Sequence, residues 1–215
     1  MIRSDQAKAD GVEPTVAVGR DLLGVVDLST LSEVAPGIFY TPHEFVLADD
    51  ALILFLKDKA RNTAVRRARL CAHPVPEADQ HDMLIASHRD TYVAPHRHPK
   101  SESFLVIEGE ADLLLFEAGG QLARRITMGP AKSGLPMFYR MPAGRYHSLA
   151  IRSEVLVFVE STKGPFSRQD MEEAPWAPSA TDADAGRAYI AALPSQAQAA
   201  ELVPAAKEHT SLGNG

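Results

Sequence analysis

The stretch Pro95-His96-Arg97-His98-Pro99-Lys100-Ser101-Glu102, closed by Gly109, carries the densest chemistry in the chain. Alternate side chains of an extended strand share a face, so His96 and His98 point the same way, about 7 Å apart, and Arg97 points the other way. Two imidazoles on one face can share a metal ion. Glu102 follows a short turn and opens the next strand, where its carboxylate can swing to the same point. Gly109 marks the tight return at that strand's far end. Downstream, Met141-Pro142-Ala143-Gly144-Arg145-Tyr146-His147 sets a Pro-x-Gly turn before a third histidine. Three neutral imidazoles and one carboxylate suit a first-row divalent ion, one per chain, whether iron, manganese, nickel, copper or zinc. Such a set leaves coordination positions open for a ligand or substrate.

Outward from this stretch, short apolar segments recur between turn signals. Strands are expected near 66–72, 82–87, 92–97, 102–108, 110–116, 122–128, 136–141, 146–151 and 154–160, with turns at residues such as Gly119-Gly120 and Pro142–Gly144. Many short strands at this spacing predict an all-β sandwich or barrel. Upstream, Asp27–Ser32 reads as a helix start, 38–40 and 44–47 as short strands, and Ala51–Arg61 as a helix capped by Asp49-Asp50. Downstream, Ala174-Pro175-Trp176-Ala177-Pro178 reads as coil packed back on the barrel, and Gly186–Leu193 as a helical turn or two. Residues 1–15 and the last dozen read as loose ends. The resulting division is an N-terminal extension at 1–63, a barrel at 64–166 and a C-terminal segment at 167–215.

Composition narrows the function. The chain has 215 residues, 45% of them hydrophobic, with a net charge of -6. That balance gives a real core and no global positive field for nucleic acid or anionic membranes. A single cysteine, Cys71, excludes an internal disulfide and a thiolate zinc site. Met1–Arg20 has no apolar signal region, and runs such as Leu52–Leu56 are too short to span a bilayer. The expected setting is the cytoplasm, with a small-molecule ligand as partner.

Beside the metal candidates, Arg67, Arg69, Cys71 and His73 form a stripe on one face of an expected strand, with Ala68, Leu70 and Ala72 on the other. That stripe reads as a cavity wall for a carboxylate or phosphate. Tyr92, Phe104 and Tyr139 are further candidates for lining the pocket. Trp176 reads as a lid or packing anchor, and Cys71 as a buried small hydrophobe. His43, His81, His88 and His209 fall in expected loops or the tail and take no role. No separate general base is evident.

His96-x-His98-x3-Glu102-x6-Gly109 followed by Pro142-x-Gly144-x2-His147 resembles the cupin double motif. The resemblance implies a double-stranded β-helix (jelly-roll) barrel with a metal inside, and His96, His98, Glu102 and His147 in the four ligand positions. Asp90, Pro136 and Ile151 stand where the motif usually has glycine, glycine and asparagine; none is a ligand position. A narrower resemblance, over about residues 60–178, is to the WbuC-like cupin-fold metalloproteins. It is carried by Arg67–His73, Pro95–Pro99, Ser101–Phe104, Val106–Gly109, Gly164-Pro165-Phe166 and Ala174–Pro178. It implies a setting in bacterial surface-polysaccharide metabolism. Cupins are often dimeric, so a homodimer is expected, with the 38–47 segments extending a partner's sheet. The implied activity is a metal-dependent enzyme of oxygenase or isomerase/lyase type on a polar or anionic metabolite. The alternative is a cupin that binds or senses a metabolite without turning it over.

Overall fold

A computed structural model of the chain describes residues 25–195. The expected N-terminal arm, the frayed tail and His209 lie outside those residues. Twelve strands and two α-helices follow one another within them. The strands are β1 Ser32–Ala35, β2 Ile38–Tyr40, β3 Arg67–Cys71, β4 Gln80–His88, β5 His96–Arg97 and β6 Glu102–Glu108. They continue as β7 Ala111–Phe116, β8 Leu122–Met128, β9 Phe138–Met141, β10 Tyr146–Ile151, β11 Val155–Lys163 and β12 Glu172–Glu173. Helix α1 spans Asp50–Asn62 and α2 spans Ala183–Ala192. Two sheets result, ordered β1-β2-β3-β4-β11-β6-β9 and β12-β5-β10-β7-β8. Every pairing is antiparallel except β2 with β3.

The strands alternate between two cores. On the outer face of the larger sheet, Ala68, Leu70, Leu84, Ala86, Val155 and Val157 pack under Leu52, Leu56 and Ala60 of α1. Those three helix residues recur at four-residue spacing and are fully buried, which is why this segment folds as a helix on the sheet. Asp49 caps it by accepting from the Leu52 amide at 3.1 Å, and Lys59 and Arg61 sit in its last turn, where the helix dipole favours them. Between the sheets lies the second core, with Cys71, Met83, Ile85, Phe104, Val106, Leu113, Leu149, Leu156 and Phe158. The smaller sheet is covered from outside by Trp176, Ala177, Ile190 and Leu193 against Leu114, Phe116 and Tyr146. Trp176 is thus a packing anchor on the outer wall. Its ring lies 5.0 Å from Phe116 and 5.7 Å from Tyr146, and its Nε1 donates to the Ala118 carbonyl at 3.2 Å.

Several expectations are corrected. The 92–97 strand shrinks to β5, because Pro95 has no N–H to give a ladder and Tyr92 is held by the C-terminal segment. The 44–47 strand reduces to a parallel bridge between Leu47 and Val25. Asp27–Ser32 forms one 3-10 turn at Leu28–Thr30 and then enters β1. Strands β1 and β12 were not foreseen; all four β1 residues are exposed, so no alternation marks it. His81 is buried on β4 instead of lying in a loop, its ring stacked 3.8 Å from that of His73, and His88 ends the same strand.

Candidate metal centre

The three motif histidines meet inside the barrel. β10 places His147 directly opposite His96 of β5, and β12 pairs with the other edge of β5, Glu173 opposite His96 and Glu172 opposite Arg97. Arg97 faces outward, as its parity requires. It forms a fork on Glu172 at 2.8–2.9 Å and lies over the Tyr146 ring, clamping β12 to β5. The Pro142–Gly144 turn ties the two motif halves together, because the Gly144 amide donates to the His98 carbonyl at 2.8 Å. Gly144 has φ +80°, which a side chain would resist.

His96, His98 and His147 each offer a ring nitrogen, and the three lie within 4.8 Å of one another. The Nδ1 atoms are taken: that of His96 donates to the Ala94 carbonyl at 2.9 Å, that of His98 to Lys100 at 2.5 Å and that of His147 to Arg145 at 2.9 Å. A backbone acceptor on Nδ1 fixes the tautomer and turns the Nε2 lone pair inward, the arrangement that orients metal-ligating imidazoles. Glu102, 6% exposed, reaches two of these nitrogens, with Oε2 2.9 Å from His98 Nε2 and Oε1 3.4 Å from His147 Nε2. The Tyr139 hydroxyl donates to Glu102 Oε1 at 2.7 Å and holds the carboxylate in place.

The electrostatics of the cluster follow from burial and from that carboxylate. Burial, aided by the neighbouring His147, lowers His96 to about 4, and burial lowers His147. The hydrogen bond to Glu102 raises His98. Burial alone would raise Glu102, but His98, His147 and Tyr139 together hold it below its ordinary value. Two imidazoles whose pKa is lowered, one raised by its bond to Glu102, and a carboxylate held below its ordinary value therefore converge on one point. Three imidazole nitrogens and a carboxylate are donors that fit a divalent metal.

The other candidates separate. Arg67 and Arg69 lie on the lumen side of β3, since Ala68 and Leu70 go under α1 and Cys71 joins the inner core. Arg67 is exposed at the start of β3, and burial of its guanidinium with the like charge of Arg69 lowers its pKa. Phe104 is core packing behind the cluster, stacked 5.0 Å from Tyr139 and 4.3 Å from Phe158. Tyr92 is not brought to the cluster: its hydroxyl donates to the Pro178 carbonyl at 2.7 Å, and a Cβ on Gly186 of α2 would fall 2.2 Å from its ring.

One residue escaped the sequence reading. β11 runs to Lys163, beyond the expected end at 160, and Leu156 and Phe158 face the lumen. Glu160 shares their parity and is a half-buried carboxylate on the inner wall. Burial and then Glu102 push it up to about 7, against the pull of Arg67, Arg69 and His98. A charged residue in phase with an inward apolar alternation was the available signal.

Comparisons with known proteins give one partial family match and several distant structural likenesses. A family described as a domain of unknown function (DUF6016) matches residues 48–128. No curated protein matches the sequence. Among solved structures, the polyketide cyclase RemF from Streptomyces resistomycificus is 16% identical, with 60% of this chain and 84% of that one covered and a TM-score of 0.45. A mutant of Bacillus subtilis oxalate decarboxylase is 17% identical with a TM-score of 0.41; 63% of this chain is covered, but only 32% of that one. A cupin superfamily protein from Desulfitobacterium hafniense is 13% identical, covering 45% and 76%, with a TM-score of 0.37. The two facing sheets, with their histidine strands paired β5 to β10, make this an all-β cupin barrel. No helix among the described residues is long and apolar enough to cross a membrane.

Proposed function

We propose that the protein is a metal-dependent cupin enzyme acting on a small polar or anionic metabolite in the lumen, by oxygenase or isomerase/lyase chemistry. His96, His98, Glu102 and His147 would hold one divalent transition ion per chain. When bound, such an ion supplies Lewis acidity or a site for dioxygen. Arg67 and Arg69 would orient the anionic end of the substrate, and Tyr139 positions Glu102. One observation carries the reading: three imidazoles whose Nδ1 atoms are all committed to carbonyls present their remaining nitrogens within 4.8 Å of one another. The WbuC-like resemblance favours a substrate from surface-polysaccharide metabolism. The exposed edge strand β1 is where a second copy would add to make a homodimer; a monomeric mass in sedimentation would remove that part.

The test is elemental mass spectrometry on protein purified without chelator or nickel resin, beside the double variant His96→Ala/His147→Ala. The expected result is about one metal per chain, lost in the folded variant. A metal-free wild type, or a variant that keeps its metal, overturns the proposal. Iron would direct the search to dioxygen consumption; zinc, manganese or nickel to isomerase or lyase chemistry.

A further inference from the structure

Beyond the histidine cluster, the inner wall carries charges of both signs that attract one another without forming a close ion pair among the described residues. Glu160 on β11 forms no hydrogen bond or ion pair among the described residues, although two guanidiniums share its side of the sheet. Its partners on the ladders are Met83 of β4 and Phe104 of β6, both apolar, so nothing beside it competes for its oxygens. Arg69 has a buried Nε with no hydrogen-bond partner. Arg67, two residues earlier on the same face of β3, makes no ion pair among the described residues and feels Arg69 as a like charge. Elsewhere the fold pairs its exposed charges readily, as with Arg97–Glu172 and Arg61–Glu154. Arg69 and Glu160 are half-buried, where an ionic group without a partner is costly, while Arg67 is exposed beside them. Glu160 feels both arginines and also Glu102 and His98 of the cluster.

We propose that Glu160, Arg67 and Arg69 form a two-sign recognition wall, and that the ligand it selects is a small hydroxylated anion: a carboxylate or phosphate for the guanidiniums and a hydroxyl that donates to Glu160. The inference rests on the lumen being the ligand site, and it adds a residue and a substrate class to that reading. Arginine pairs acidic oxygens through its planar fork. Above about pH 7, where Glu160 is ionised, its carboxylate only accepts hydrogen bonds, so there the group against it is a donor. A ligand with the anion alone leaves Glu160 unsatisfied, and one with hydroxyls alone leaves the arginines so. The charged groups facing Glu160 are Arg67 and Arg69 from β3, Glu102 from β6 and His98 after β5, with the Tyr139 hydroxyl from β9. The net effect of burial and of Glu102 makes a donor at Glu160 more welcome than a second anion.

Calorimetric titration of the full chain with its metal tests this, using D-gluconate and glycerol 3-phosphate as hydroxylated carboxylate and phosphate. Butyrate, inorganic phosphate and sorbitol each offer one function only. One hydroxylated anion should bind at least about tenfold more tightly than its hydroxyl-free counterpart and than sorbitol, the margin of one hydrogen bond to a charged group. Which anion wins identifies the acid group. Glu160→Leu, which fills its space beside Phe104 and Met83, should erase the margin over the hydroxyl-free anion. Glu160→Gln, which keeps a weaker acceptor, should leave part of it. Arg67→Ala/Arg69→Ala should weaken the anion about tenfold or more without changing sorbitol. The absence of a margin in the wild type, or its survival in Glu160→Leu, overturns the proposal. Metal content measured on the same samples keeps the two readings apart: a metal-free wild type that still shows the margin refutes the metal assignment and not the wall.

Discussion

The two faces of the seven-stranded sheet have the same backbone and opposite purposes. On β3, Ala68 and Leu70 turn outward under α1, while Arg67 and Arg69 turn inward. On β11, Val155 and Val157 go under the helix and Glu160 goes to the lumen. The outer face is closed and fully apolar at its centre, and its side chains gain stability by leaving water. The inner face interleaves apolar and charged residues, with Phe104 opposite Glu160 and Phe158 level with Arg69 across Ile85. Stability is concentrated where α1 seals the sheet, and chemistry where nothing seals it.

The largest effect should come from breaking the sealed side. Leu56→Ala removes a fully buried α1 side chain and should cost about 3 kcal/mol, or roughly 6–12 °C in melting temperature. Metal content per folded chain should be unchanged; loss of metal in that variant would mean the faces are not independent. Next comes the lumen itself. His98→Ala should weaken metal binding by at least about a hundredfold, and should also lower the apo protein's melting temperature because it removes a partner of the buried Glu102 carboxylate. His98 is the one cluster histidine whose pKa is raised, by its bond to Glu102. A metal must displace any proton on His98, so binding should release protons at acidic pH and progressively fewer as the pH rises. Calorimetry in buffers of differing ionisation heat reads this directly; no proton release would place the charge elsewhere.

A smaller effect of opposite sign is expected at Glu160. Its folded-state pKa of about 7 lies above the ordinary 4.5. The folded chain therefore holds a proton that the unfolded chain has lost between those values. The stability this gives is complete below about pH 4.5 and disappears as the pH rises through about 7. In chelator-treated protein, Glu160→Gln should raise the melting temperature by a few degrees at pH 8 and much less at pH 5. An equal shift at both would show that the carboxylate is not strained by burial. The smallest effect belongs to the outer clamp: Arg97→Ala should change the melting temperature less than Glu160→Gln does, and not at all in high salt, because the Arg97–Glu172 pair is exposed.

Much of both sheets was legible in the sequence because their strands obey a period of two. β6, β8 and β10 lie at the expected residues, and the histidines at 96, 98 and 147 converge. What stayed hidden has physical reasons. β1 and β12 are short and polar, held by neighbours far along the chain, and carry no alternation. Tyr92 looked like a pocket aromatic, yet contacts with Pro178 and Gly186 decide its place. Glu160 was missed although it lay in the expected 154–160 strand, because a lone glutamate at the end of an apolar run reads as the strand's solvated edge. The orientation of the imidazoles was equally illegible, since it depends on the carbonyls of Ala94, Lys100 and Arg145 and not on residue type.

The pairing of β12 with β5 has a consequence for how the protein is made. The strand bearing His96 has two ladder neighbours, β10 and β12, and the second comes from Glu172-Glu173, with the Ala174 amide closing onto the Pro95 carbonyl at 2.8 Å. During synthesis, His96, His98, Glu102 and His147 all leave the ribosome before that last rung exists. The pocket is thus finished from behind, by residues that never touch a ligand. A chain ending before residue 174 would carry the same four side chains with the His96 strand lacking its second ladder neighbour.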